Sequence, residues 1–169
     1  MSRIDRLPSP RILIAGTGLV ALGLVAGGVV LAQTLNLAAC PLCVLQRMLY
    51  LLLAALSLPA FALASQTTWR RTLTAVMAAC AATGVWIAAY QTWLQRFARG
   101  VSCTADQPWW EEFVNWAGGL WPLMFEGSGS CSEAGWKLFG LSIAEWSLIA
   151  FSAMAVATIL AFLYRPEPA

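Results

Sequence analysis

"NLAACPLCVLQRMLYLLLAAL", residues 36–56, places a Cys-x-x-Cys pair, Cys40 and Cys43, directly ahead of a long apolar run, with Arg47 four residues further on. The run decides the fold class. Residues 44–64 contain one charge, Arg47, and at 1.5 Å per residue about 20 such residues cross the roughly 30 Å hydrocarbon core of a bilayer. Three further segments read the same way. Residues 12–32 carry no charge; residues 72–94 are rich in Ala and include Gly84, a small-residue composition that lets membrane helices approach closely; residues 144–164 begin at Glu145 and end before Arg165 and Pro166. Short connections between the first three segments make consecutive helices antiparallel neighbours. The expectation is an all-α membrane protein: one domain over residues 1–169, a bundle of four transmembrane helices, and one long loop at about 95–143.

Composition agrees. Of 169 residues, 60% are hydrophobic and 11% charged, against roughly 45–50% and about 25% in soluble domains, and the mean hydropathy is +0.71. The net charge of +2 comes without a basic cluster, so nothing resembles the electrostatic footprint of a nucleic-acid binder. There is no histidine, which removes the commonest proton shuttle and metal ligand.

Arg3, Arg6, Arg11, Arg70, Arg71 and Arg165 fall on one side of a four-span topology, and Arg47, Arg96, Arg99 and Lys137 on the other. Weighted toward the first helix, the positive-inside rule makes the first side, with both termini, cytoplasmic. Cys40, Cys43, Cys103 and Cys131 then face outward, into a compartment where disulfides form and persist. Cys80 falls mid-membrane and reads as a packed small residue. "LAAC", residues 37–40, looks like a lipoprotein processing site, but a signal peptide has an apolar region of about 7–15 residues; here 21 apolar residues precede the polar insert "QTLN".

Pro41 suits the first helical position, which makes Cys40 the cap residue and puts Cys43 in the first turn. Unpaired N–H groups and the helix dipole favour an anion there, so both features are expected to stabilise thiolate, the reactive species. Arg47 lies one turn deeper on the same face as Cys43. An arginine just inside a membrane is costly and is a functional candidate on that ground. The competing interpretation is a structural staple beside an arginine that snorkels to headgroups. A Cys₄ zinc site fits poorly, because Cys103 and Cys131, separated by 27 residues, form no close pair. Neither Cys-x-x-Cys-His for haem attachment nor a glycine-rich dinucleotide fingerprint occurs. Electrons from a redox-active pair would leave through another protein or a carrier dissolved in the bilayer.

In the long loop, "QPWWEEFVNWAGGLWPLMF" carries Trp109, Phe113, Trp116 and Leu120 at helical spacing, with Glu111, Glu112 and Asn115 between them. This pattern predicts a short amphipathic helix along the membrane surface; the alternative packs the aromatics against the bundle as core.

"CPLCVLQR" at the second helix, two further cysteines in the loop, and "CSEAGWKLFGLSIAEWS" running into the fourth helix together resemble the bacterial DsbB family of inner-membrane disulfide-generating oxidases. The resemblance covers nearly the whole chain. It implies that a periplasmic DsbA-like thiol oxidant is reoxidised by the loop pair, that the loop pair passes electrons to the helix pair, and that the helix pair passes them to ubiquinone or menaquinone. By motif position, Cys103 would receive the partner in a mixed disulfide, Cys131 would exchange with Cys40, and Cys43 would face the quinone beside Arg47. Lacking histidine, the chain would take protons for the quinone from water at the membrane surface. The related vitamin K epoxide reductase family shares the bundle and the quinone chemistry but places its outer pair ahead of its Cys-x-x-Cys. A non-catalytic membrane scaffold with two structural disulfides is the remaining alternative.

Overall fold

The computed structural model describes residues 8–98 and 109–164. Cys103, Arg3, Arg6, Arg99, Arg165 and Pro166 lie outside the described residues. Within them are α1 (Pro10–Thr34), α2 (Pro41–Ala62), α3 (Thr67–Phe97), α4 (Trp109–Leu120), α5 (Pro122–Phe125), a two-stranded hairpin of β1 (Lys137–Leu138) and β2 (Leu141–Ser142), and α6 (Ile143–Leu163). Helices α1, α2, α3 and α6 are each long and apolar enough to cross a membrane. They pack as a closed ring in the order α1, α2, α3, α6, each against its two neighbours. The expected spans sit inside the observed helices to within a few residues, except at α3. Its 31 residues, roughly 46 Å at 1.5 Å rise, outrun the hydrocarbon core at both ends and carry Arg70, Arg71 and Arg96 there.

Close approach of α3 and α6 depends on Gly84. A Cβ at that position would lie 2.3 Å from the ring of Phe151, which is fully buried and stacks on Tyr50 of α2 with centroids 4.1 Å apart. Cys80, one turn earlier, is buried in the same core, as its expected packing role requires. At one end of the bundle the buried Arg70 donates to the carbonyls of Ala161 and Tyr164, closing the last turn of α6. A helix end otherwise leaves such carbonyls without partners. At the other end Ser142 and Glu145 form a reciprocal capping box at the start of α6, and Glu145 also pairs with Arg96 of α3.

The α3–α6 connection differs from expectation in two respects. A small antiparallel hairpin precedes α6, turning through Phe139 and Gly140, both at positive φ. Helix α4 does form across the aromatic stretch, but its polar residues are not all on the outside. Trp109, Phe113, Trp116 and Leu120 are exposed, while Glu111, Val114 and Ala117 are buried. The aromatics are therefore not core; their exposed stripe suits a headgroup layer, where amphipathic rings are favoured. The helix turns Glu111 inward because residues 111, 114 and 117 share one face at a three-residue spacing.

Candidate thiol redox site

The site is built at the N-terminus of α2. Cys40 is the cap residue, its sulfur accepting the Cys43 backbone N–H at 3.3 Å, and Pro41 occupies the first turn. The two sulfurs lie 2.9 Å apart as thiols, Cys40 donating to Cys43. Across them runs the chain from the α3–α6 connection. Gly129 donates its N–H to the Ala39 carbonyl at 2.8 Å, and this contact carries the following residues over the start of α2, where Cys131 is buried against Cys40, Leu42 and Leu94. The Cys131 side chain hydrogen bonds with Cys40. That bond, the bond with Cys43 and burial all favour the neutral thiol and hold Cys40 well above the ordinary cysteine range. The expectation that the helix terminus stabilises thiolate is thus corrected at Cys40. Its bonds with Cys131 and Cys43, together with burial, outweigh the N–H groups it receives from the Cys43 backbone and the Gln91 amide.

Cys40 and Cys43 open onto a cavity of about 390 Å³ between the mouth of the bundle and residues 129–136. Its walls are apolar along α1, at Leu24, Val25 and Leu31, and polar along α2 and α3, at Gln46, Arg47, Tyr50 and Gln91. Arg47 lines this cavity on the same face as Cys43, as the four-residue spacing predicts, and its guanidinium also donates to the Met124 carbonyl of α5. This charge is half buried, and its second contact ties α2 to the connection above it. The structure therefore brings Cys40, Cys43, Cys131 and Arg47 together; Cys103 lies outside the described residues.

Two side chains at the site have no counterpart among the sequence expectations. Gln91 Nε2 lies 3.1 Å from Cys40 Sγ and 3.0 Å from Cys43 Sγ, and Gln46 Nε2 donates to Gln91 Oε1 at 2.7 Å. Both glutamines are buried. Their signal in the sequence is that each is an uncharged polar residue inside a mostly apolar span.

Four membrane-crossing helices that hold a thiol pair, Cys40 buried and Cys43 half-buried, against a third cysteine beside a cavity have the arrangement of a multi-pass membrane thiol oxidoreductase. The comparisons make the class specific. The family model for disulfide bond formation protein DsbB matches residues 10–161, and the chain belongs to that family. It is similar to disulfide bond formation protein B of Dechloromonas aromatica, 38% identical over 92% of this chain and 93% of the relative. The proteins of that name from Nitrosospira multiformis and Verminephrobacter eiseniae are each 36% identical, over 85% and 96% of this chain and 85% and 89% of their own lengths. The chain is accordingly a disulfide-forming membrane oxidoreductase.

Proposed function

We propose that this protein reoxidises a periplasmic DsbA-like dithiol protein and delivers the electrons to ubiquinone or menaquinone in the inner membrane, with both termini cytoplasmic and the cysteine pairs facing the periplasm. The observation that carries this reading is the continuous contact from Cys131 through Cys40 to Cys43 at the wall of one cavity. The partner's dithiol reduces the Cys103–Cys131 disulfide by exchange. Cys131 thiolate then attacks Cys40 of the oxidised Cys40–Cys43 pair. The Cys131–Cys40 bond forms, the Cys40–Cys43 bond breaks, and Cys43 leaves with the electron pair. Attack by Cys103 on Cys131 restores the loop disulfide and releases Cys40.

The cavity fits a quinone in size and lining. Ligand sites of about 300–1,000 Å³ with apolar walls and a few convergent polar groups are the usual form. When bound, a quinone would take two electrons from the reduced pair and two protons, and leave as quinol. Arg47 would hold a quinone oxygen, the α1 wall would hold the ring, and Tyr50, whose hydroxyl donates to the Ser147 carbonyl, would keep α2 and α6 in register behind it. Water at the membrane surface supplies the protons.

Anaerobic titration of the purified protein with a reduced DsbA-like partner, with and without added quinone, tests the reading. Partner oxidation is expected to stop at the capacity of the two pairs without quinone and to continue to the quinone supplied when it is present. Equal, stoichiometric oxidation in both arms would refute quinone as the sink. Cys131→Ser is expected to trap the partner on Cys103 as a mixed disulfide on a non-reducing gel; an adduct with Cys103→Ser instead would exchange the two roles.

A further inference from the structure

An amide group carries two hydrogen-bond donors on its nitrogen and none on its oxygen. The end that Gln91 presents to the sulfurs therefore decides whether the site favours or opposes negative charge there. Gln46 meets the other end. Its N–H points at Gln91 Oε1, so the oxygen is held away and the Gln91 nitrogen faces Cys40 and Cys43 at near-equal distances. At 3% and 1% exposure neither amide can exchange its partner for water, so a turned amide would leave buried groups unsatisfied. A disulfide sulfur is a weak acceptor and a thiolate a strong one, so these donors gain most when the pair is reduced and charged.

We propose that Gln91 is a catalytic residue that donates to whichever sulfur of the Cys40–Cys43 pair carries the thiolate, and that Gln46 is the positioning residue that sets the direction of its amide. The inference deepens the proposed function and rests on the pair being redox active. When Cys131 displaces Cys43, one Gln91 N–H receives the departing thiolate. When Cys103 releases Cys40, the second N–H is in place for that sulfur. No reorientation is needed between the two steps, so the donors are in place at the moment of reaction.

The test uses the full chain in detergent, reduced anaerobically and freed of reductant. Alkylation of Cys43 at neutral pH is followed by residue-resolved mass spectrometry, and the pair is separately equilibrated against glutathione. Gln91→Met fills similar volume without a donor. It is expected to slow Cys43 alkylation about ten-fold or more, the lower end for losing a hydrogen bond to a charged group. It should reduce the equilibrium constant for reduction of the pair by a similar factor, roughly 30 mV. Gln46→Met touches neither sulfur, yet is expected to slow alkylation about three-fold or more by freeing the amide to turn, and to add nothing in the Gln91→Met background. A merely structural glutamine pair would lower thermal stability without this non-additive effect on thiol reactivity.

Alkylation of Gln91→Met within about two-fold of the unaltered protein overturns the proposal, as does a Gln46→Met effect that persists in full in the double variant. If Gln91→Met does not fold, Gln46→Met alone decides on the same two-fold threshold. Neither measurement involves partner or quinone. A chain with these reactivities that fails to turn over with both would defeat the proposed function and leave the amide assignment standing; normal turnover with unchanged alkylation in the variants would do the reverse.

Discussion

Gly129→Ala probes the contact on which, in the proposed function, delivery of electrons to the helix pair would depend. A Cβ at Gly129 would lie 2.3 Å from the Ala38 carbonyl oxygen and 3.0–3.1 Å from the carbonyl carbons of Ala38 and Ala39. These are backbone atoms immediately before the Cys40 cap and cannot swing aside as a side chain would. Restoring an ordinary carbon–oxygen contact of about 3.3 Å requires the segment to retreat by about 1 Å. The Gly129–Ala39 hydrogen bond, 2.8 Å long, would stretch to about 3.8 Å and be lost. Losing it costs about 0.5–1.5 kcal/mol, and overpacking adds typically 1–3 kcal/mol. The functional cost should be larger than the cost in stability. Cys131 is two residues on, and a 1 Å misplacement of reacting groups can cost on the order of 10²-fold in rate. Single-turnover mixing with reduced partner should therefore show exchange from the loop pair to the helix pair slowed by about that factor. A small dithiol that reduces Cys40–Cys43 directly should support quinone reduction at the normal rate. If Gly129→Ala transfers electrons from partner to quinone as fast as the unaltered protein, docking of residues 129–131 on the α2 cap is not what positions Cys131.

Arg47→Lys keeps a positive charge but loses the planar fork that can serve both the Met124 carbonyl and a second acceptor; it should raise the apparent KM for quinone, and Arg47→Ala should raise it more, with partner exchange nearly intact. Unchanged quinone kinetics in both variants would leave Arg47 only its contact to α5. Gly84→Ala forces a methyl group into the Phe151 ring, 2.3 Å away, and should destabilise the α3–α6 interface by about 1–3 kcal/mol, read as a lower Tm in detergent; an unchanged Tm would mean that the helices separate at no cost. Arg70→Met strips donors from two carbonyls at the end of α6 and should lower Tm with little effect on quinone turnover, at about 1–3 kcal/mol for buried groups left unpaired. A variant that melts normally but turns over slowly would contradict a purely structural role.

How much of this was legible in the chain follows from the range of the forces involved. A membrane span announces itself locally, because some 20 consecutive residues must each tolerate hydrocarbon; the four helices and their order could thus be read directly, and the α3 overrun was missed because charged turns at its ends, such as that at Arg70, need not face lipid. The capping of α2 was equally local: a cysteine, a proline and a second cysteine within one turn define that geometry without help from the rest of the fold. What lies across the site depended on tertiary structure. Gln91 is 48 residues from Cys43 and reaches it only because α3 runs antiparallel beside α2, and nothing in its own neighbourhood marks it as a partner of sulfur. The same holds for the burial of Glu111 and the Arg47 contact to Met124; the meeting of Cys131 with Cys40 was implied only by the family resemblance, and its effect on the Cys40 thiol runs against what the helix terminus alone predicts. Sequence determines which backbone segments are stable in a bilayer, since that is a sum over neighbours along the chain; which polar atoms meet is decided by packing, since a single hydrogen bond between helices leaves no periodic trace in either one.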